Sequence, residues 1–240
     1  MTLNESVKAK ILQPRFAHPH RRDDVLRLLD ALTTAPLIII SGLVGAGKTS
    51  LVSGYADSQS LPCLWYQMDR SDESLSSFFH YLGAAASNAS SHVKQELPLP
   101  SPECTAGIAA HVRAYFRKLY RYLEKPFLVV FNDYQALEAG WPLHRVVYEA
   151  CNELPAGGRM IIIASNEYPP TVSWIRADRS ATIVGWQELR LRPDMLDDLA
   201  ALNVAALPAG EITKRLRHKV GDWAAELVAA MQGAFDTGAK

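Results

Sequence analysis

The pattern Gly42-x-x-x-x-Gly47-Lys48-Thr49 is the part of the sequence best suited to binding a phosphorylated ligand. Glycines permit positive φ angles, so the backbone N–H groups of such a loop can turn toward phosphate oxygens. In this pattern the lysine places a cation on the β- and γ-phosphates, and the threonine hydroxyl is suited to Mg²⁺. The residues predicted to hold the nucleotide are Gly42, Gly45, Ala46, Gly47, Lys48, Thr49 and Ser50.

A second candidate for chemistry is the pair Asn132-Asp133, which ends an apolar run over residues 127–131. In P-loop nucleoside triphosphatases an acid at such a strand end supports Mg²⁺ or orients water toward the γ-phosphate. Asp133 is therefore the predicted catalytic residue and, with Thr49, a predicted Mg²⁺ partner. An aspartate that only caps the following helix is the alternative.

The flanks of the glycine loop supply the elements that must position it. Residues 37–40 are apolar and predict a buried strand, and residues 49–52 open a helix. A helix N-terminus adds unpaired N–H groups and a favourable dipole for an anion. An ordinary glycine-rich turn between a strand and a helix is the alternative, and this context favours the phosphate loop.

Further strands are predicted at residues 61–67, 160–166 and 181–184, and a helix at residues 105–123. Strands that alternate with helices imply a parallel sheet covered on both faces. The predicted fold class is α/β: a P-loop NTPase-type parallel sheet of about five strands flanked by helices, followed by a small C-terminal helical subdomain. The predicted domains are a lead-in and pre-loop helix (1–35), a P-loop nucleotide-binding domain (36–190) and a helical lid or the start of a helical domain (191–240).

Three smaller features have competing interpretations. Residues 1–14 look like a flexible lead-in. Asp69 and Asp72 follow a predicted strand, at the edge where α/β sites usually gather. Basic residues such as Arg113 and Arg117 interleave with tyrosines on the 105–123 helix, and a solvated helix surface is favoured there over a nucleic-acid face.

The composition excludes several classes of protein. Of 240 residues, 48% are hydrophobic and the formal net charge is zero, so bulk charge gives no reason to expect nucleic acid or an anionic membrane. No apolar run approaches the ~20 residues of a membrane span. Cys63, Cys104 and Cys151 are far apart, which disfavours a metal site or a disulfide framework and fits a reducing, cytoplasmic setting.

Several segments outside the loop carry a resemblance to a known family. They are Lys10-Ile11-Leu12-Gln13-Pro14, residues 22–29, Leu64-Trp65-Tyr66-Gln67-Met68-Asp69, Phe78-Phe79-His80-Tyr81-Leu82, Asn132-Asp133-Tyr134-Gln135, Ser165-Asn166-Glu167-Tyr168-Pro169-Pro170 and, loosely, Gly221-Asp222-Trp223-Ala224-Ala225. With the phosphate loop, they resemble the ATPase domains of MalT-like, large LuxR-type transcriptional regulators, which belong to the STAND class of P-loop ATPases. The resemblance covers residues 11–231.

The resemblance implies a signal-transducing ATPase domain, but this sequence departs from the family pattern on its catalytic side. The family's first acid, expected to support Mg²⁺, is Asn132 here, and an amide is a poorer Mg²⁺ ligand than a carboxylate. The family's sensor arginine is Asn166, so one cation near the γ-phosphate is lost. An intact phosphate loop beside a worn catalytic side predicts nucleotide binding with slow or absent hydrolysis.

The expected function is therefore an ATP- or ADP-binding regulatory switch module, with Mg²⁺, in the N-terminal part of a bacterial signal-responsive transcriptional regulator. The alternatives are a catalytically active P-loop ATPase or small-molecule kinase, and an interaction scaffold that has lost nucleotide binding. Expected partners are an adenine nucleotide together with another copy of the chain, a regulatory protein or a small-molecule inducer. DNA would be contacted only through a domain outside this chain, and no membrane partner is expected.

Overall fold

A five-stranded parallel sheet forms the centre of the structure. The computed structural model describes residues 5–16, 27, 29–30, 35–90, 93, 97, 108–138, 140–165 and 181–189. The strand order is β2-β3-β4-β1-β5, and every neighbouring pair is parallel. The strands are β1 (Leu37–Ser41), β2 (Cys63–Gln67), β3 (Phe127–Asn132), β4 (Gly158–Ala164) and β5 (Ala181–Val184).

Helices follow β1, β2 and β3 in the described part of the chain, as crossovers between parallel strands usually contain them. Within the described residues they are α1 (Glu5–Ile11), α2 (Lys48–Gln59), α3 (Leu75–Ala89), α4 (Ile108–Tyr122), α5 (Leu143–Asn152) and α6 (Trp186–Leu189), with 3-10 turns at Arg70–Glu73 and Tyr134–Ala136. The α/β class and the parallel sheet predicted from the sequence are confirmed. Because all five strands run the same way, their carboxyl ends meet at one edge, which also carries the loop between β1 and α2.

The two faces of the sheet are covered by different helices. Successive side chains of a strand point to opposite faces. Accordingly, Ile38 and Ile40 of β1 pack in one apolar cluster with Val52 and Tyr55 of α2, whereas Ile39 packs in the cluster on the other face. Each fully buried side chain of this kind contributes about 1.5–3 kcal/mol. Strand β1 is thus fixed from both sides at the point where the glycine loop leaves it.

The aromatic residues of α3 and α4 belong to this core. Phe79 and Tyr115 are fully buried, and their ring centroids lie 4.6 Å apart in an edge-to-face contact. Two basic residues of α4 pair with acids in or just after α5: Arg113 with the buried Glu149 at 3.0 Å, and Arg117 with Glu153 at 2.7 Å. These ion pairs fit the interpretation of α4 as an ordinary surface helix rather than a nucleic-acid face.

The prediction of a flexible lead-in over residues 1–14 is wrong for Glu5–Ile11, which form α1 and pack beside β2 and α3. Ile11 is only 2% exposed. The buried Lys10 Nζ lies 2.7 Å from Asp69 Oδ2 and 3.0 Å from Asp72 Oδ1. Burial tends to raise the pKa of Asp69, but hydrogen bonds from Lys10 and Ser71 outweigh it and hold that pKa below its ordinary value. The segment is anchored by contacts more than fifty residues away, which a local sequence pattern does not reveal.

Several predicted elements differ only at their ends or lie outside the described residues. The helix predicted at 105–123 is observed as α4, and the strand at 160–166 as β4, which begins two residues earlier. The helical subdomain at 191–240 and the sensor-loop residue Asn166 lie outside the described residues. Neither Cys63 nor Cys151 forms a disulfide among the described residues, and no described helix is long and apolar enough to cross a membrane.

Candidate nucleotide-binding site

The loop between β1 and α2 adopts the backbone conformation that its glycines permit. Gly45 has φ of 88° and Gly47 has φ of 75°, both in the left-handed region. Gly47 immediately precedes α2, so the loop ends at the N-terminus of a helix. Side chains with a Cβ are strained at these φ values. The two glycines therefore shape a backbone concavity in front of the helix.

The start of the loop contacts the end of the described sheet domain. A Cβ added to Gly42 would lie 3.3 Å from Leu189 Cδ1 of α6. Leu189 is itself 2% exposed. Close packing against Leu189 therefore favours glycine at position 42.

Lys48 is the first residue of α2, and its side chain turns back toward the carbonyl groups of the loop. Its Nζ donates hydrogen bonds to Gly42 O at 2.7 Å and to Leu43 O at 2.8 Å. Burial lowers the pKa of Lys48, and the negative charge of Asp133 acts in the opposite direction. A cation held by two neutral carbonyls can exchange them for phosphate oxygens, with which it forms stronger charge-assisted bonds.

The other loop residues are used in different ways. Ala46 N–H donates to Leu43 O at 3.2 Å, and Ser50 Oγ donates to Gly47 O at 2.8 Å. Ser50 therefore closes the first turn of α2. Thr49 Oγ1 reaches the end of β3 and donates to Asn132 Oδ1 at 3.2 Å. The structure thus brings Thr49 and the predicted Asn132-Asp133 pair together.

Asp133 occupies a strained position at the end of β3. Its φ of 54° and ψ of 43° are left-handed, which is uncommon for a residue other than glycine. Its carboxylate is held from both sides: Gln67 Nε2 donates to Oδ2 in a short hydrogen bond, and Gln135 Nε2 donates to Oδ1 at 3.0 Å. The side chain of Asp133 is thus fixed toward the carboxyl edge of the sheet rather than free in solvent.

Sequence reasoning missed Gln67 and Gln135. Gln67 ends β2 beside the end of β3, and Asn132 Nδ2 donates to Gln67 Oε1 at 2.7 Å. Gln135 accepts the Ser165 N–H at 2.9 Å, just beyond the end of β4. The only available signal was that each polar residue follows or ends a strand at the edge where parallel sheets place their sites.

The acidic residues after β2 do not join this site, although they occupy the same edge. Asp69 and Asp72 bind Lys10 of α1, and Tyr66 OH donates to Asp72 Oδ1 at 2.6 Å. Within the described ranges, no three His, Cys, Asp or Glu side chains are close enough together to bind a metal ion. A metal at Thr49 would therefore need the oxygens of a phosphate or of water to complete its coordination.

Comparison with known sequences agrees with this geometry. No protein-family model matches the chain. The HTH-type transcriptional regulator MalT of Serratia proteamaculans is 23% identical over 223 residues, covering 92% of this chain and 24% of that protein. MalT of Yersinia enterocolitica is 24% identical over 224 residues, with the same coverage. This chain therefore spans about a quarter of the length of the regulators it matches.

Comparison with solved structures gives the fold. A Walker-type ATPase of Pyrococcus abyssi superposes with a TM-score of 0.58 at 14% identity, covering 91% of this chain and 68% of that one. The fold is that of a P-loop ATPase, and the sequence is MalT-like. DnaA of Aquifex aeolicus, solved with AMPPCP bound, has a TM-score of 0.50 at 15% identity and covers 96% of this chain and 64% of that one. The resemblance to MalT regulators expected from the motifs is confirmed by the two sequence matches.

Proposed function

We propose that this chain is a nucleotide-binding switch module of a MalT-like transcriptional regulator, one that binds ATP or ADP with Mg²⁺ and hydrolyses ATP slowly or not at all. The proposal rests on the glycine-lined loop at the N-terminus of α2, with the Lys48 side chain turned back onto the loop and Thr49 beside the end of β3. The AMPPCP bound to the structurally similar DnaA supports a nucleotide as the ligand.

The residues of the loop fit a polyphosphate. Backbone N–H groups from Gly45 to Thr49 would hold the phosphates, and the positive φ of Gly45 and Gly47 keeps side-chain bulk away from them. Lys48 would exchange the carbonyls of Gly42 and Leu43 for phosphate oxygens. A bound triphosphate supplies a γ-phosphoryl group that can be transferred to water.

The residues that would contact Mg²⁺ and water favour slow ATP hydrolysis. Thr49 would supply one hydroxyl oxygen to the metal, and Asn132 holds that hydroxyl with a neutral amide where a carboxylate would bind Mg²⁺ better. Asp133 would act as an outer partner of the metal and orient water. Because Gln67 and Gln135 already occupy both of its oxygens, Asp133 can accept a further proton donor only through its other lone pairs.

The proposal includes the division of the chain into domains. Residues 36–190 would form the nucleotide-binding domain, with residues 1–35 leading into it and residues 191–240 forming a helical lid or the start of a helical domain. A lid that closes on ATP and relaxes on ADP would convert ligand state into conformation. DNA would be bound by a domain outside this chain. A second copy, a regulatory protein or a small-molecule inducer would act through the switch.

The test is nucleotide binding by Lys48→Ala, measured by isothermal titration calorimetry with Mg²⁺-ATP and Mg²⁺-ADP. Loss of two charge-assisted hydrogen bonds, each worth about 1.5 kcal/mol or more, lowers affinity about 100-fold. Lys8→Ala, which removes an exposed lysine from α1, is the matched control and keeps wild-type affinity. Wild-type affinity in the Lys48→Ala protein would place the nucleotide elsewhere and overturn the site.

A further inference from the structure

Six groups at the carboxyl edge of the sheet form one continuous series of hydrogen bonds that ends at Asp133. In the first arm of the series, Thr49 donates to Asn132 at 3.2 Å, Asn132 donates to Gln67 at 2.7 Å, and Gln67 donates to Asp133. In the second arm, the Ser165 N–H donates to Gln135 at 2.9 Å and Gln135 donates to Asp133 at 3.0 Å. Every bond in both arms points toward the carboxylate.

The carboxylate fixes the direction of the whole series. An ionised carboxylate only accepts hydrogen bonds, so Gln67 must turn its amide nitrogen toward Asp133 and its oxygen toward Asn132. Asn132 must then present its nitrogen to Gln67 and its oxygen to Thr49. The Thr49 hydroxyl has one proton, and it must donate that proton to Asn132. Its lone pairs are thereby left for a cation.

We propose that Gln67 is a positioning residue that transmits this direction from Asp133 to Thr49 and so presets the Thr49 hydroxyl for Mg²⁺. This inference deepens the proposed function and rests on it. Gln67 is the single link between the two halves of the arm, because its oxygen accepts from Asn132 while its nitrogen donates to Asp133. A carboxamide performs both tasks at once, whereas a carboxylate lacks the donor and an aliphatic side chain lacks both groups.

Burial of Asn132 makes the direction of these hydrogen bonds costly to reverse. Asn132 is 3% exposed, so a polar atom of its side chain left without a partner could not be hydrated and would destabilise the protein. If Gln67 flipped, its oxygen would face the carboxylate and its nitrogen would face the Asn132 amide nitrogen, and two bonds would be lost together. The series therefore has one favoured arrangement, and the position of the Thr49 proton follows from it.

Two substitutions of Gln67 separate positioning from general structural support. Gln67→Leu removes both contacts, so the Thr49 hydroxyl is no longer directed and the Mg²⁺ concentration for half-maximal nucleotide binding rises about fivefold, as expected for loss of one oriented hydrogen bond of about 1 kcal/mol. Gln67→Glu keeps an acceptor for Asn132 but faces Asp133 with a like charge. It is expected to keep the Mg²⁺ requirement at or below the wild-type value while lowering any turnover.

The measurement is the affinity for a non-hydrolysable ATP analogue, by calorimetry, over a Mg²⁺ series that starts in EDTA. Gln59→Leu is the control, because this exposed glutamine at the far end of α2 bonds only Asp30 among the contacts of its side chain that the structure shows. Gln67→Met serves in place of the leucine variant if circular dichroism shows that the latter is unfolded. Equal Mg²⁺ requirements in Gln67→Leu and wild type, or equal increases in the leucine and glutamate variants, would overturn the inference.

The proposed function and this inference fail in different ways. If the wild-type chain binds no nucleotide at any Mg²⁺ concentration, the proposed function is wrong. If wild type binds and Lys48→Ala does not, but the Gln67 variants keep the wild-type Mg²⁺ requirement, the nucleotide site stands and the role of Gln67 is wrong.

Discussion

Lys10 provides the sharpest test of how the N-terminal helix is held. Its ammonium group lies 2.7 Å from Asp69 and 3.0 Å from Asp72, and the side chain of Lys10 is only 7% exposed. Its Nζ also lies 5.3 Å from the centroid of the Tyr66 ring. We predict that Lys10→Met, which keeps the length and apolar character of the side chain, destabilises the folded protein substantially.

The expected loss in the free energy of unfolding depends on the contacts that each carboxylate keeps after the substitution. Removing one partner of a buried ion pair costs about 3–5 kcal/mol, because the other charge is left buried. Asp72 has a fully buried side chain but retains the Tyr66 hydroxyl at 2.6 Å and the Asp69 N–H at 3.0 Å. Asp69 has a side chain that is 49% exposed and can be rehydrated. We therefore expect the lower end of the range, about 3 kcal/mol.

The matched control is Arg117→Met. Arg117 also lies 2.7 Å from its carboxylate partner, Glu153, but its side chain is 62% exposed. Water and salt screen an exposed pair of this kind, so it contributes little to stability. The two substitutions thus remove ion pairs of equal length that differ in burial.

Urea denaturation followed by circular dichroism measures both free energies of unfolding. We expect the midpoint to fall strongly in Lys10→Met and little in Arg117→Met, with an unchanged dependence on urea concentration. Losses below about 1 kcal/mol in both variants would refute the reasoning, since such values describe exposed pairs. In that case α1 would not be anchored through Lys10, and the lead-in would behave as the sequence alone suggested.

The remaining predictions concern the metal side of the site and two titratable groups. Asn132→Asp is expected to lower the Mg²⁺ requirement and raise ATP turnover, because a carboxylate binds Mg²⁺ better than an amide; an unchanged rate across a Mg²⁺ series would count against this account. Burial lowers the pKa of His144 from 6.5 in the folded protein. As pH drops below about 6.5, the unfolded chain is therefore protonated at this histidine before the folded protein is, and the free energy of unfolding falls. His144→Gln should remove that part of the pH dependence, and identical profiles of unfolding free energy would contradict it. The lowered pKa of Asp69 makes stability fall as pH drops below its ordinary value of 3.8, and Lys10→Met should weaken this acid dependence; acid unfolding curves of equal steepness would show that the pairing is unimportant.

The parts of the fold that sequence predicted are those encoded by local pattern. Strand β1 is a run of apolar residues because both faces of a parallel sheet are covered, and such runs are visible without a structure. The glycine loop is equally local, because its glycines and the strand and helix that flank it are contiguous in the sequence. The anchoring of α1 is not local, since Lys10 meets partners at 69 and 72 that no periodicity connects to it.

The candidate site divides in the same way. Thr49 and Asp133 were predicted because each follows a recognisable strand or loop pattern. Gln67 and Gln135 were not, because a glutamine carries no characteristic spacing and is ordinarily a surface residue. Their importance appears only when strand order places the ends of β2 and β3 side by side, with Gln67 paired to Asn132 in register.

The direction of the hydrogen bonds also limits what one restored charge can achieve. A carboxylate at position 132 would accept the Thr49 proton as Asn132 does, but it could no longer donate to Gln67. The Gln67 amide oxygen would then lose its donor and face a second carboxylate, while its nitrogen would still donate to Asp133. We therefore expect Asn132→Asp to need less Mg²⁺ for nucleotide binding but to have a lower melting temperature in the absence of metal. Mg²⁺ should restore that stability, because the cation offsets the added negative charge beside Asp133.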